Sequence, residues 1–243
     1  MICIFGMIPR CGSTSISEAI HANMIGAGNF LAEPFAKKYD NWGTIPNEPK
    51  IKPSINNIQQ ISKTYNITLI KTLEFDLTEE DNLKLLSISD SSVFLYREFF
   101  VDYFFSKWMS ENFFKKTGKS HFYIDHIRSD NNFFTLERDP IDIPNMINSY
   151  KQNQEKMLRY LNGFNFDAVV SYEKFFSNDN KNRKENFTKL CKSIGINITN
   201  DLRLKHLDTD RKHNSYKNYQ KLIPNWEEVI ELKDQLILKE KND

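Results

Sequence analysis

Residues 1–20 read Met-Ile-Cys-Ile-Phe-Gly-Met-Ile-Pro-Arg-Cys-Gly-Ser-Thr-Ser-Ile-Ser-Glu-Ala-Ile, and this stretch decides the fold. Cys3, Ile4 and Phe5 make a short apolar run of the kind that fills a buried strand. Pro9, Arg10, Cys11 and Gly12 break it. From Ser13 the spacing turns helical. A helix is expected from about Ser13 to Gly26, with Ile16, Ala19, Ile20 and Met24 on one face and Gly26 and Gly28 as its stop. A strand, a tight loop with a cation and a glycine, then a helix opening on hydroxyls, is a phosphate cradle. The first N–H groups of the helix point at the anion, and the helix dipole favours negative charge there. Ser13, Thr14 and Ser15 add hydroxyl donors, and Arg10 adds a charged fork.

This loop departs from the ATP-type motif G-x-x-x-x-G-K-[ST]. Five residues separate Gly6 from Gly12 where that motif has four. Ser13 stands in the lysine position, and the cation Arg10 precedes the second glycine instead of following it.

Working outward, Ile67-Thr68-Leu69-Ile70-Lys71, Ser92-Val93-Phe94-Leu95-Tyr96 and Phe166-Asp167-Ala168-Val169-Val170 read as three further buried strands. Helices are expected at about Ser54 to Tyr65, from a Thr78 cap to about Leu86, Phe99 to Phe114, about Asp142 to Leu161, Asn182 to Ile194 closed by Gly195, and Trp226 to about Lys239. Residues 115–140 and 210–219 read as loop. Short apolar strands alternating with helices predict an α/β fold of three layers, P-loop-like, with a central parallel sheet flanked by helices. In such sheets ligands bind at the carboxyl ends of the strands. Arg10, Lys71, Arg97 and Tyr172 all lie just past a strand end and are expected to converge on one edge.

Composition narrows the classes. The 243 residues are 40% hydrophobic and 13% aromatic, enough for a sizeable core, and residues 1–243 are read as a single domain. Lys and Arg number 33 against 32 Asp and Glu, so no basic field argues for a nucleic-acid partner. No apolar run approaches the roughly 20 residues of a membrane span. The N-terminus lacks a basic n-region and starts on a core strand, so no signal peptide is expected, and the location is read as cytoplasmic. Asn66, Asn186 and Asn197 begin sequons that are read as incidental. Three scattered cysteines, Cys3, Cys11 and Cys191, fit a reducing compartment. Cys11, beside Arg10 at a helix start, occupies a place that lowers a thiol pKa. No base is placed to use it, and loop packing is the role expected of it. His121, His126, His206 and His213 lack ligand spacing, so no metal is expected.

Four pieces, in order, resemble the sulfotransferase family that uses 3′-phosphoadenosine 5′-phosphosulfate (PAPS). Pro9-Arg10-Cys11-Gly12-Ser13-Thr14 resembles the family's 5′-phosphosulfate loop, in the arginine form of tyrosylprotein and bacterial trehalose-type members. Leu69-Ile70-Lys71-Thr72 resembles the strand of the cytosolic K-T-H motif. Phe94-Leu95-Tyr96-Arg97-Glu98, with Ser106 after it, resembles the 3′-phosphate site. Val169-Val170-Ser171-Tyr172-Glu173 resembles the strand ending in Tyr-Glu, whose tyrosine lies near the adenine. The resemblance spreads over residues 1 to about 195. Ser106 lies one residue further from Arg97 than in cytosolic members, a spacing trehalose-type relatives show. Leu73 stands where K-T-H has its histidine. Asp210-Arg211-Lys212-His213-Asn214 resembles only loosely the basic loop that closes over the 3′-phosphate.

The resemblance implies sulfuryl transfer from PAPS to an acceptor hydroxyl on a carbohydrate or other small metabolite, without a metal. Arg10 and the helix N–H groups, with Cys11, Gly12, Ser13, Thr14 and Ser15, would hold the 5′-phosphosulfate. Lys71 would contact the transferring group. Arg97 and Ser106, with Arg211 and Lys212, would hold the 3′-phosphate, and Tyr172 would lie by the adenine. With Leu73 in the histidine position, a carboxylate must serve as general base. Glu33, in Ala32-Glu33-Pro34-Phe35, lies 23 residues after Arg10, where tyrosylprotein and trehalose-type members carry a catalytic glutamate. Its apolar neighbours are expected to desolvate it and raise its pKa. Glu74 is the second choice. Acceptor specificity is expected in about residues 113–150. Two other readings stay open: a P-loop-like kinase or nucleotide-binding protein, and a non-catalytic module binding adenosine phosphates.

Overall fold

Cys3, Ile4 and Phe5 lie in a wholly buried strand, and the sheet is built outward from it. The computed structural model describes residues 1–8, 11–26, 28–35, 54–98, 103–104, 107–108, 112, 139–176, 179–203, 205–207 and 223–232. Among the described residues five strands alternate with helices: β1 (Ile2–Gly6), α1 (Ser13–Asn23), β2 (Gly28–Ala32), α2 (Ile55–Ser62), β3 (Ile67–Leu73), α3 (Glu79–Ser87), β4 (Ser91–Tyr96), α4 (Ile143–Gly163) and β5 (Ala168–Ser171). A single helical turn, α5 (Tyr172–Phe175), and α6 (Asn180–Ser193) follow. The sheet runs β2-β3-β1-β4-β5, and every pairing is parallel. This is the α/β, three-layer, P-loop-like architecture that the alternation predicts.

The order matters for the site. β1 is central, with β3 on one side and β4 on the other. The chain leaves β1 toward β2, returns through β3, and crosses β1 to reach β4. That reversal puts the β1–α1 loop at the switch point, where open parallel sheets bind ligands. The loop is anchored there: the Met7 amide donates to the Leu95 carbonyl of β4 at 2.8 Å.

Local chemistry sets the helix ends. The Ser54 hydroxyl accepts from the Asn57 amide at 3.2 Å and caps α2. Thr78 caps α3 in the same way through Asp81, at 3.1 Å. α1 ends at Asn23, short of Gly26, because Met24 turns extended and bridges to Ile198. The Asn23 side chain also takes both backbone groups of Arg203: it accepts from the amide and donates to the carbonyl. The sequence pattern does not predict β2 as a strand. Only five residues long and opening on glycine, it carries a weak pattern of its own. Tertiary pairing with β3 makes it.

Two compact units divide the chain: Met1–Glu98 with Lys156–Leu207, and Phe99–Glu155 with Asp208–Asp243. The first holds the whole sheet. On one of its faces the rings of Phe5, Phe94, Phe166 and Tyr160 pack together. The centroids are 5.0 Å apart for Phe5–Tyr160 and 4.9 Å for Phe94–Phe166. In the second unit Tyr103, Phe104 and Trp108 are helical and buried, and the Trp108 indole donates to the Asp139 carbonyl at 2.8 Å. The rest of the expected 99–114 helix, the 115–138 part of the expected loop, the 210–219 loop and the end of the last helix beyond residue 232 lie outside the described residues.

Phe94→Ala removes a fully buried ring from the aromatic layer that joins β1 and β4. It is expected to destabilise the protein by about 3–5 kcal/mol, read as a lowered urea midpoint at unchanged slope.

Candidate anion-binding and catalytic site

The loop after β1 is closely packed. A Cβ added to Gly6 would stand 2.8 Å from Leu73 and 2.9 Å from the Cys11 sulfur. Gly12, the residue before α1, has a left-handed backbone (φ 81°), and a Cβ there would meet the rings of Phe176 at 2.5 Å and Tyr172 at 2.9 Å. Gly12 therefore requires glycine, and a side chain at Gly6 would displace Leu73 and Cys11. α1 opens with no acidic residue in its first turn. Its leading N–H groups and dipole make a place for an anion. Ser13 and Ser15 are buried and Thr14 is exposed. Of the loop residues, Arg10 lies outside the described residues.

Cys11 differs from the electrostatic expectation. Its thiol is buried, and burial pushes its pKa up. Hydrogen bonds from Ser13 and the Ile8 backbone, and the Lys71 charge, only partly oppose this. The sulfur fills the space between β1, β3 and α1, which is the loop-packing role. Desolvation outweighs the cationic surroundings.

Glu33 and Lys71 come together. Ala32 and Lys71 are register partners, so Glu33 is the first residue past the edge strand β2. Its amide donates to the Lys71 carbonyl at 2.7 Å, which extends the ladder by one step. Its carboxylate is ion-paired and hydrogen-bonded to the Lys71 ammonium. The two side chains are 16% and 5% exposed, so the pair is largely withdrawn from water. Glu33 is also the only non-glycine residue with positive φ among the described residues (φ 50°). Such strain costs of order 1–3 kcal/mol and concentrates at functional sites.

The turn after β3 adds a carboxylate that sequence reasoning missed. Asp76 accepts from the Leu73 amide at 2.9 Å and sits within reach of the Thr72 hydroxyl at 3.4 Å. Burial is the main cause of its raised pKa. Next comes the Leu73 hydrogen bond, which opposes the rise, and then the Glu33 charge, which adds to it. Its spacing to Leu73 is a capping signal in the sequence, but nothing there reveals that the Glu33 charge acts on it. Glu74 lies elsewhere. Its carboxylate takes both bonds from Lys156 of α4 at 3.1 Å, and its carbonyl accepts from Asn82 at 2.7 Å. It is committed to tying α3 and α4 to the sheet.

The ends of β4 and β5 form the other half. Arg97, 6% exposed, directly follows β4. Its guanidinium lies over the Tyr172 ring, 4.1 Å from Cζ to the centroid, and its Nε stands 4.0 Å from Glu173. Because Tyr172 also presses on Gly12, one ring connects Arg97 to the start of α1. Ser106, Arg211 and Lys212 lie outside the described residues. Contrary to the expectation that it lies just past its strand, Lys71 is within β3, two residues from the end, because the strand runs on to Leu73; Arg97 and Tyr172 do stand immediately past theirs.

This arrangement offers an anion cradle at α1, a carboxylate that can accept a proton, an ammonium beside it, and a second buried cation. The donor set suits a ligand bearing two separated anionic groups. Among the described residues there is no group of three or more His, Cys, Asp or Glu side chains that could hold a metal, and no helix long and apolar enough to cross a membrane. Comparison of the chain with protein-family models, curated proteins and solved structures finds no match.

All three cysteines are buried, and burial pushes the Cys3 and Cys191 thiols up to about 12. The folded protein is expected to show no fast-reacting thiol toward a chromogenic disulfide at pH 8, and three after denaturation. A rapidly titrating cysteine in the native protein would contradict the packing role of Cys11.

Proposed function

We propose that this chain is a sulfotransferase that moves the sulfuryl group of PAPS to a hydroxyl of a carbohydrate or other small metabolite. The proposal rests on the Glu33–Lys71 pair: a half-buried carboxylate joined to a buried ammonium, beside the loop that would hold the 5′-phosphosulfate.

In this mechanism Glu33 takes the proton of the acceptor hydroxyl. The hydroxyl oxygen attacks sulfur, the bond from sulfur to the bridging 5′-phosphate oxygen breaks, and its electrons stay on that oxygen. The products are a sulfate ester and adenosine 3′,5′-bisphosphate. Catalysis of this kind is mostly positioning and charge stabilisation. The first N–H groups of α1, with Arg10, meet the charge that grows on the leaving phosphate. Lys71 meets the sulfuryl oxygens, and its pairing with Glu33 brings base and cation to one place. Arg97 reads the 3′-phosphate that distinguishes this nucleotide from ATP, and Tyr172, beneath Arg97, lies on the adenosine side. Location in the cytoplasm belongs to the same proposal.

Glu33→Gln keeps the shape of the side chain and removes the base. It is expected to lower turnover with PAPS by about 10²–10⁴-fold while adenosine 3′,5′-bisphosphate still binds. Arg97→Ala is expected to weaken that binding instead. Full sulfuryl transfer in Glu33→Gln would overturn the base assignment. Absence of transfer by the wild type across a panel of sugar and alcohol acceptors, with bisphosphate bound tightly, would favour a non-catalytic binding module.

A further inference from the structure

We propose that Glu173 is a positioning residue, holding the Arg97 guanidinium in the attitude that reads a 3′-phosphate; this rests on the sulfotransferase reading of Arg97. One carboxylate oxygen of Glu173, Oε2, is anchored to two strand ends. It accepts from the Glu98 amide, just past β4, at 2.8 Å, and lies 3.3 Å from the Ser171 hydroxyl that closes β5. Those ends are tied together in turn by the pairing of Tyr96 with Ser171. The other oxygen, Oε1, stands 4.0 Å from Arg97 Nε. Ser171 also bonds Glu98 at 3.1 Å, and Glu98 pairs with Lys174 at 3.1 Å, so the anchor is itself held.

Two consecutive residues thus control two degrees of freedom of one planar cation. The Tyr172 ring sets the plane of the guanidinium. Glu173, facing the Nε edge, sets its rotation within that plane. The terminal nitrogens carry the fork that takes a phosphate bidentately, and the direction of that fork follows from the Nε edge. Tyr172 and Phe176 also cover Gly12, so the same contacts fix Arg97 relative to the α1 anion cradle. The spacing between two phosphate groups on one nucleotide is what such a fixed pair of sites would measure.

Positioning and simple charge predict opposite signs. If Glu173 only added negative charge near the phosphate, removing that charge would tighten binding. If it orients Arg97, removing it weakens binding of the ligand that has a 3′-phosphate and of no other. The test is calorimetry of the full chain with adenosine 3′,5′-bisphosphate and with adenosine 5′-phosphate, for wild type and Glu173→Gln. The expected result is a wild-type preference for the bisphosphate that falls about tenfold or more in the variant, with 5′-phosphate affinity changed less than about twofold. A preference that survives, or bisphosphate binding that tightens, overturns the inference alone. A wild type that binds both nucleotides equally overturns the 3′-phosphate reading of Arg97 and this inference with it. Should Glu173→Gln not fold, Glu173→Asp, which keeps the charge and withdraws it by one methylene, is expected to show the same selective loss.

Discussion

An ammonium buried within a parallel sheet has to be met by a carboxylate, and in this chain Lys71 is met by Glu33. Leaving such a charge unpaired costs about 3–5 kcal/mol, so the pair constrains everything around it. The β2–β3 register delivers Glu33 one step beyond Ala32. The Glu33 amide continues the ladder to the Lys71 carbonyl, and the left-handed backbone at Glu33 turns the side chain back toward the ammonium. In the proposed mechanism, stability and chemistry would depend on the same contact. The charges of Glu33 and Lys71 also act on Asp76, the first raising and the second lowering its pKa.

A second constraint is steric. Gly12 has room only for hydrogen beneath Tyr172 and Phe176, and Tyr172 in turn lies under Arg97. The start of α1, the end of β4 and the end of β5 are thereby held by one stack of contacts. The Leu95 carbonyl, accepting from Met7, ties the loop to β4 from the other side. The proposed 5′ and 3′ phosphate sites would be two parts of one framework.

Much of this framework was legible in the sequence. Buried parallel strands are continuous apolar runs, and β1, β3 and β4 show this plainly; β5 has the same apolar run but is an edge strand with Val169 exposed, so the expectation of a buried strand there is not met. Caps at Ser54 and Thr78 and the stop at Gly195 follow from side chains acting within a few residues of themselves. What stayed hidden depended on distant partners. β2 has Phe30-Leu31-Ala32 as its only apolar signal, and β3 completes it. Met24 leaves the helical path because Ile198 receives it, and the Asn23 side chain before it is held by Arg203. Cys11 reads as a loop-packing residue in a place that lowers a thiol pKa; the packing is seen, and burial pushes the pKa up instead. Glu74 and Asp76, two residues apart, look equivalent in the chain. One is committed to Lys156 and the other turns back to the end of β3 at Leu73 and Thr72, and only the turn between them separates the two fates. The pairing of Glu173 with Arg97 spans 76 positions of sequence and has no local signal.

The central claim is that the chain binds a nucleotide with a 3′-phosphate, and calorimetry with adenosine 3′,5′-bisphosphate beside magnesium ATP tests it most directly. The account predicts bisphosphate binding at about micromolar Kd or tighter, and ATP at least about tenfold weaker. Tight binding of magnesium ATP with little affinity for the bisphosphate would contradict it, and would return the β1–α1 loop to an unusual ATP-type cradle.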